Sequence, residues 1–294
     1  MDSLPRLIDD RCAAWELEIT GEAFGGGTHS YVVPVRRADG SSAILKLTVR
    51  DEENLAEPTA LWHYGGDGAV KLYAYDPASG AMLLEHATPG EPMVRQDDTP
   101  FDAPHAEGRP DNVRRIDLAC ALYRRLWRIP RVAPAEFPPI PRVADRVAAW
   151  RQDLPRLVGV VDDAELVAHA LRLCEEFSTP DGPEGIANRD THLGNIVSAR
   201  REPWLLIDPK PLLGERAFDA GYLLLVQAES ASTVAEVDAM VARTAHGLGV
   251  APERARGWAF LRSMEIVLWA SPDRSAIVGR HRETARLLGS SSAR

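Results

Sequence analysis

The period of the hydrophobic pattern changes near Pro89-Gly90, and this change constrains the fold more than any other feature of the chain. Before it, short apolar runs are separated by Gly, Pro and Asp, as in β-strands joined by turns. After it, apolar residues recur three and four positions apart, as in helices. We therefore predict an α+β fold, with a small strand-rich lobe over residues 1–89 and a larger helical lobe over residues 90–294.

The first lobe is predicted to contain five short strands and one helix. Residues 16–50 read as strands with a hairpin at Asp39-Gly40, a dipeptide typical of tight turns. Residues 51–64 have the acidic start that suits a helix N-terminus. Two more strands, AVKLYAYD and AMLLEHA, follow a GGDG break.

The second lobe is predicted to be mainly helical. Residues 96–110 are rich in Asp, Pro and Gly and predict a mobile connection. A periodic helix follows from Val113 to Trp127, and the proline-rich connector IPRVAPAEFPPIPR separates it from a helix ending near Phe177. The pattern is helical again from Asp219 to Leu288.

Composition excludes several functional classes. The net charge of −9 argues against nucleic acid as a partner, because binding a polyphosphate requires a basic surface. No run reaches the roughly 18 apolar residues of a membrane helix, and the N-terminus lacks the features of a signal peptide. Three widely spaced cysteines predict neither a disulfide framework nor a zinc site. We expect a protein of the reducing cytoplasm, without a membrane partner.

The segment IANRDTHLGNIVSARREPWLLIDPK carries the sharpest chemical signal. Four residues separate Asp190 from Asn195, and Asp208 follows the apolar run WLLI. This is the spacing of a kinase catalytic loop, in which an Asp accepts the proton of the attacking hydroxyl. The Asn oxygen and the second carboxylate then bind Mg²⁺, which prefers oxygen ligands. The alternative is a pair of turn residues at strand ends, but a hairpin predicted over IVSARREPWLLI would bring Asn195 and Asp208 to one end.

Lys46 interrupts the apolar strand AILKLTV and has two interpretations. It either faces solvent on an alternating strand or points inward as a phosphate ligand. The glycine cluster around Gly26 precedes it by about twenty residues, an arrangement that matches a phosphate-covering flap followed by a phosphate-binding lysine. Thr28 and Ser30 would add hydroxyl or backbone contacts in such a flap, or they are simple turn residues.

Several segments resemble the aminoglycoside phosphotransferases, and within them the streptomycin 6-kinase and hydroxyurea resistance kinase branch. These segments are EPTALWHYGGDGAVKLYAYD, AMLLEHATPGEPM, NRDTHLGNIV and WLLIDPKPLLGERAFDAGYLL. The resemblance covers most of residues 20–270. It implies a two-lobed protein-kinase-like fold that binds ATP between the lobes, uses magnesium, and phosphorylates an antibiotic hydroxyl.

The resemblance also implies roles for individual residues. Asp190 corresponds to the catalytic base, and Asn195 and Asp208 to the magnesium ligands. Lys46 resembles the lysine that contacts the α- and β-phosphates, and Glu57 resembles its ion-pair partner.

Other implied roles are less direct. Because Pro58 disfavours helical geometry at Glu57, Glu53 is the second candidate for the partner of Lys46. Glu85 and Ala87 would form the hinge, where backbone groups meet adenine. Asp219 would anchor the catalytic loop through backbone N–H groups, or it is a helix N-cap.

The chain departs from the family pattern beside the base. Asn188-Arg189 stands where the family usually has His-Gly. Since Asn still forms hydrogen bonds and protein kinases carry Arg at the second position, we expect activity to persist, with an effect on acceptor specificity. His192 is expected to be a structural hydrogen-bonding residue rather than a second base.

The segment WAFLRSMEIVLW has two interpretations. It places Trp258, Arg262, Glu265 and Trp269 at helical steps of four, three and four. This face is either a core stripe with one buried ion pair or the wall of the acceptor site. In the second case Glu265 would face a guanidinium group of streptomycin.

The expected reaction is transfer of the γ-phosphoryl group of ATP to a hydroxyl of a small, cationic, aminoglycoside-type acceptor. Rival acceptors are an amino sugar, hydroxyurea or a choline-like amine. A pseudokinase, which binds nucleotide without turnover, is the rival from another class, and the complete set of Lys46, Asp190, Asn195 and Asp208 argues against it.

Overall fold

The computed structural model describes residues 4–25, 30–49, 51–94, 112–158, 163–270 and 275–290. The chain forms two compact units. Unit 1 is made of Met1–Glu91, Pro130–Ile140 and Val197–Lys210. Unit 2 is made of Pro92–Ile129, Pro141–Ile196 and Pro211–Arg294. The connection predicted at residues 96–110 lies outside the described residues.

The described secondary structure confirms a strand-rich first unit and a helical second unit. The strands in chain order are β1 (Glu18–Ile19), β2 (Ser30–Arg36), β3 (Ser42–Thr48), β4 (Leu72–Asp76), β5 (Ala81–Glu85), β6 (Pro89–Pro92), β7 (Gly185–Asn188), β8 (Ile196–Ala199), β9 (Trp204–Leu206) and β10 (Pro211–Gly214). The helices are α1 (Leu4–Ala14), α2 (Glu57–Tyr64), α3 (Asn112–Leu126), α4 (Val143–Asp153), α5 (Ala164–Glu176), α6 (Phe218–Ala228), α7 (Val234–Leu248), α8 (Pro252–Trp269) and α9 (Ser275–Gly289). Helices α1 and α4 were not predicted from the sequence.

Unit 1 is built on an antiparallel sheet in the order β1-β2-β3-β5-β4, which contains all five predicted strands. On one face, β2, β3 and β5 contribute a buried apolar core composed of Val33, Val35, Ala43, Leu45, Leu47, Ala81 and Leu83. Helix α1 covers this core with Leu7, Ile8 and Cys12. Because side chains alternate along a strand, Lys46 points to the opposite face of β3.

Helix α2 was predicted to begin at residue 51, but it begins at Glu57. The acidic residues before it form a turn instead: Asp51 Oδ1 accepts hydrogen bonds from the backbone N–H groups of Glu53 and Asn54, both at 3.0 Å. Pro58 then occupies the first helical turn, where its missing N–H has no partner to lose. Glu57 therefore starts its helix.

The proline-rich connector packs against α2 within unit 1. Thr59 Oγ1 donates a hydrogen bond to the Pro138 carbonyl oxygen at 2.6 Å. The Phe137 ring lies 5.2 Å from that of Tyr75, in a stacked arrangement, and 5.9 Å from that of Trp62. These contacts fix the helix that carries Glu57.

A second sheet, in the order β6-β8-β9, contains the hairpin predicted between Asn195 and Asp208. Strand β9 also binds the turn before β4. The Leu206 N–H donates to the Gly68 carbonyl at 2.9 Å, and the Val70 N–H donates to the Leu206 carbonyl at 3.0 Å. The hairpin is thereby fixed to unit 1.

Unit 2 is a helical assembly in which α8 packs against α6, α7 and α9. The antiparallel pair β7–β10 lies beside it, with Asn188 opposite Pro211. None of the helices within the described ranges has the length and apolar character needed to cross a membrane.

Trp258 on α8 lies in the core of unit 2, with 1% of its surface exposed. Its ring centroid is 4.6 Å from that of Phe177 and 5.1 Å from that of Phe218. The indole N–H donates to Glu215, so the polar atom of this buried ring is satisfied. Trp258 therefore stabilises the unit by packing.

Two tryptophans of α8 provide a matched test of this core. Trp258→Ala is expected to lower the free energy of unfolding by about 3–5 kcal/mol, because it leaves a cavity among buried aromatic rings. Trp269→Ala is expected to change it by less than ~0.5 kcal/mol, since Trp269 is 67% exposed. Denaturant unfolding of both variants measures the difference, and similar losses would contradict the assignment.

Candidate active site

The ammonium group of Lys46 is the centre of a charge cluster in unit 1. Its Nζ atom lies 2.7 and 2.8 Å from the two carboxylate oxygens of Glu57 and 2.6 Å from Asp208 Oδ1. An ammonium has three donors, so these contacts satisfy all of them. Glu53, the alternative partner, lies 3.8 Å from Lys210 instead. The structure thus pairs Lys46 with Glu57.

Lys46 points inward, with 5% of its surface exposed. Burial lowers the pKa of an ammonium, but the charges and hydrogen bonds of Glu57 and Asp208 outweigh this effect and raise the pKa of Lys46 above its ordinary value. Lys46 is therefore a fixed cation at neutral pH. This arrangement matches the inward alternative of the sequence analysis.

Asp208, which follows β9, has a left-handed backbone conformation with φ of 49°. Few residues other than glycine adopt this conformation, and Asp and Asn do so more readily than most. Such backbone strain is concentrated at functional sites. Asp208 adopts this conformation where its carboxylate meets the ammonium of Lys46.

The loop that carries Asp190 is ordered by its own side chains. The Asp190 N–H donates to Asn188 Oδ1 at 3.1 Å, and Asn195 Nδ2 donates to Asp190 Oδ2 at 3.2 Å. The predicted spacing therefore brings Asp190 and Asn195 into hydrogen-bond contact in unit 2. Because the amide nitrogen of Asn195 faces Asp190, its amide oxygen is the atom suited to a cation.

Asp219 anchors this loop from α6. Its Oδ1 accepts a hydrogen bond from the Asn188 N–H at 2.6 Å, and its carbonyl oxygen accepts one from Thr191 Oγ1 at 3.1 Å. The N-cap of α6 is Ala217, so the anchoring interpretation is confirmed and the N-cap alternative is wrong. Thr191 was missed, because a threonine in a loop carries no distinctive sequence signal.

His192 has a structural hydrogen bond. Its Nδ1 accepts from the Gly194 N–H at 3.0 Å, so the neutral ring carries its proton on Nε2. That nitrogen lies 3.7 Å from Asp190 Oδ1. A protonated nitrogen facing the carboxylate does not act as a second base, as the sequence analysis expected.

The predicted nucleotide-contacting residues are only partly described. Gly26 and Thr28 lie outside the described residues. Ser30 Oγ donates to Thr48 Oγ1 at 3.2 Å across the β2–β3 hairpin. The Glu85 carboxylate binds Arg201, so the predicted hinge role of Glu85 and Ala87 concerns their backbone groups and stays a prediction.

Of the four residues considered for an acceptor wall, Trp258, Arg262 and Glu265 are buried, whereas Trp269 is exposed. Glu265 accepts hydrogen bonds from Arg262 and, at 2.9 Å, from Arg189 Nη2, with Arg146 Nη1 at 3.5 Å. Its carboxylate is therefore already bound by guanidinium groups of the protein. Trp258 lies in the core. These contacts favour the alternative of a core stripe with a buried ion pair for Trp258, Arg262 and Glu265, and a role of this face in acceptor binding stays a prediction.

Asp208 and Asn195 each carry an oxygen donor of the kind that magnesium prefers. No cluster of three His, Cys, Asp or Glu side chains suited to a metal occurs within the described ranges. Magnesium is typically held by one or two protein carboxylates, with phosphate and water oxygens completing its shell. The carboxylate of Asp208 and the amide oxygen of Asn195 are donors of this kind.

The fold is that of the protein-kinase-like small-molecule phosphotransferases. One similar structure is a thermostable mutant of the aminoglycoside phosphotransferase APH(4)-Ia in a ternary complex with AMP-PNP and hygromycin B. The TM-score is 0.62 at 10% sequence identity, covering 97% of this chain and 99% of that chain. At this identity, the likeness defines the fold alone.

Sequence comparison identifies the family within this fold. Residues 14–273 match the sequence model of the aminoglycoside/hydroxyurea antibiotic resistance kinase family. The chain is 32% identical over 282 residues to streptomycin 6-kinase of Streptomyces glaucescens, covering 93% of this chain and 85% of that protein. It is 31% identical over 278 residues to hydroxyurea phosphotransferase of Kitasatospora aureofaciens, covering 93% and 75%.

The chain therefore belongs to the aminoglycoside/hydroxyurea antibiotic resistance kinases. This membership confirms the resemblance, the fold class and the enzyme class, a phosphotransferase, that the sequence analysis predicted.

The raised pKa of the Asp219 carboxyl predicts that the stability of the protein depends on pH. Burial raises the pKa of this carboxyl to about 8, against the opposing hydrogen bond from Asn188 and the charge of Arg216. An unfolded Asp titrates near ~3.9. Between pH of about 4 and about 8 the unfolded chain therefore binds fewer protons at this position, so the group lowers the stability of the protein as pH rises.

Asp219→Asn removes this titration and keeps an oxygen that accepts from the Asn188 N–H. Relative to the wild type, the free energy of unfolding of the variant should increase between about pH 5 and about pH 8. Denaturant unfolding at both values measures the change. A difference between the two proteins that is independent of pH would contradict the assigned pKa.

Proposed function

We propose that this protein transfers the γ-phosphoryl group of ATP to a hydroxyl group of an aminoglycoside-type antibiotic, with streptomycin as the representative acceptor, and so gives resistance. The observation that carries this proposal is the 32% identity to a streptomycin 6-kinase over 93% of the chain. The reducing cytoplasm is the proposed location, in keeping with the free cysteines Cys12, Cys120 and Cys174.

Asp190 is the proposed base. The acceptor oxygen forms a bond to the γ-phosphorus while the bond between that phosphorus and the bridging oxygen of ADP breaks. The acceptor proton passes to the Asp190 carboxylate, which its hydrogen bond from Asn195 holds in place. Positioning of this kind, rather than covalent chemistry, accounts for most catalysis of phosphoryl transfer.

Lys46 is the proposed ligand of the α- and β-phosphates. Its contact with Glu57 is buried, whereas the side chain of its other partner, Asp208, is 38% exposed. We therefore expect Glu57 to hold the ammonium while a phosphate oxygen approaches from the side of Asp208. Asn195 and Asp208 are the proposed magnesium ligands, and a bound magnesium ion would neutralise phosphate charge.

Hydroxyurea is the second candidate acceptor. The 31% identity to a hydroxyurea phosphotransferase over 93% of the chain favours it nearly as strongly as streptomycin. The burial of Glu265 removes the one residue that specifically suggested a cationic acceptor. Both candidates are small hydroxylated molecules. An amino sugar and a choline-like amine are further acceptors to be tested.

An acceptor screen tests the proposed reaction. Incubated with ATP and magnesium, the wild-type protein should add one phosphate group to streptomycin, detected by mass spectrometry. Asp190→Asn removes the basic carboxylate and keeps its shape, so the rate should fall by roughly 10²- to 10⁴-fold. Binding of AMP-PNP, measured by calorimetry, should persist in the variant.

The other outcomes of the screen discriminate between the candidates. Phosphorylation of hydroxyurea alone would support the second candidate. Phosphorylation of another amine or sugar would be consistent with the proposed mechanism but would show that the proposed acceptor is wrong. A wild-type protein that binds AMP-PNP but modifies no acceptor would be a pseudokinase.

The role of Lys46 is tested through its partner. Glu57→Gln removes the charge that holds the ammonium, so it should raise the KM for ATP and lower kcat. Glu53→Gln is the matched control and should have little effect, because Glu53 lies near Lys210 instead. Steady-state kinetics of the two variants gives the comparison, and a silent Glu57→Gln beside a damaging Glu53→Gln would reverse the assignment.

A further inference from the structure

Arg201, in the turn between β8 and β9, binds several separate parts of unit 1. Its Nε and Nη2 atoms donate to the two carboxylate oxygens of Glu85, at 2.9 and 2.8 Å. Its Nη1 donates to the Gly66 carbonyl at 2.6 Å, and Nη2 also donates to the Ala69 carbonyl at 3.1 Å. This bidentate fork fixes both the distance and the plane of the Glu85 carboxylate.

Glu85 is fixed at its backbone as well. It is the last residue of β5, and its N–H donates to the Lys71 carbonyl at 2.8 Å. In return, the Lys71 N–H donates to Glu85 Oε2 at 3.0 Å. The main chain and the side chain of Glu85 therefore both bind the turn formed by residues 66–71.

That turn has little freedom of its own. Gly66 has a φ of 87°, and a Cβ atom at this position would lie 2.6 Å from Lys71 Cγ. The bonds between Leu206 of β9 and the backbone of Gly68 and Val70 bind the turn from the other side. The hairpin that precedes Asp208 thus holds Glu85 through Arg201 directly and through this turn indirectly.

The Arg201–Glu85 pair persists at neutral pH. Burial alone would raise the pKa of the Glu85 carboxyl, but the hydrogen bonds from Arg201 and from the Lys71 N–H lower the pKa below its ordinary value. Most exposed ion pairs contribute little, and bidentate pairs within a network are the exception. The two backbone carbonyls bound by Arg201 make this pair part of such a network.

We propose that Arg201 is a positioning residue for the nucleotide. By fixing Glu85, it sets the backbone of residues 85–87, the segment whose backbone groups the family resemblance predicts to meet adenine. Arg201 acts through Glu85 and does not itself touch the nucleotide. The inference rests on the proposed function, in which the protein binds ATP, and on the predicted hinge role of this segment.

The first experiment separates nucleotide binding from turnover. Arg201→Ala should raise the KM for ATP and the Kd for AMP-PNP by about 3- to 10-fold. The kcat and the KM for the acceptor should change less than about 2-fold. Arg201→Lys keeps the charge but loses the fork, so it should resemble Arg201→Ala. Arg200 is an exposed neighbour that forms no ion pair with another described residue, so Arg200→Ala should match the wild type.

A double-variant cycle then tests whether Arg201 acts through Glu85. Glu85→Ala should raise the Kd for AMP-PNP to a similar extent, and the double variant should be little worse than either single variant. All proteins are compared at a temperature where thermal unfolding shows them folded. Unchanged affinity, additive losses, or equal losses in kcat and in both KM values would overturn the inference. Failure of the wild type to bind AMP-PNP would instead refute the nucleotide site, and the inference with it.

Discussion

A single buried ammonium group determines how unit 1 is assembled. One face of β3 belongs to the apolar core, so the alternation of the strand directs Lys46 to the other face, where it is buried. An unpaired ammonium in this position would cost several kcal/mol. Carboxylates from α2 and from the segment after β9 must therefore reach it, and this requirement joins Asp208 to a strand and a helix that lie far from it in sequence.

The segments that carry Glu57 and Asp208 are also held in place by contacts other than their ion pairs with Lys46. Helix α2 is held by the proline-rich connector, through the hydrogen bond from Thr59 and the packing of Phe137. The β8–β9 hairpin is held by Arg201 and by the backbone of Leu206. Both carboxylate partners of Lys46 thus lie on segments that have a second attachment, so the geometry of the cluster does not depend on the ion pairs alone.

The loop of Asp190 in unit 2 is ordered by a different interaction. Its conformation depends on two hydrogen bonds to Asp219 on a neighbouring helix. The Asn188 N–H donates to the Asp219 carboxyl, and Thr191 Oγ1 donates to the Asp219 carbonyl oxygen. The carboxylate of Asp190 itself is contacted by the Asn195 amide. In its proposed role as the base, Asp190 would therefore need little reorganisation when an acceptor hydroxyl approaches, a property that favours phosphoryl transfer.

The sequence by itself determined the strand-rich and helical halves, because hydrophobic period reports local structure directly. It also identified Asp190, Asn195 and Asp208 as candidates, because their spacing is a property of one loop and one hairpin. The tertiary structure alone decided that Glu57, not Glu53, reaches Lys46, since both are acidic and close in sequence. It also decided that Trp258 and Glu265 are buried, and that Arg201 binds Glu85. These outcomes depend on which distant segments pack together, and neither periodicity nor spacing contains that information.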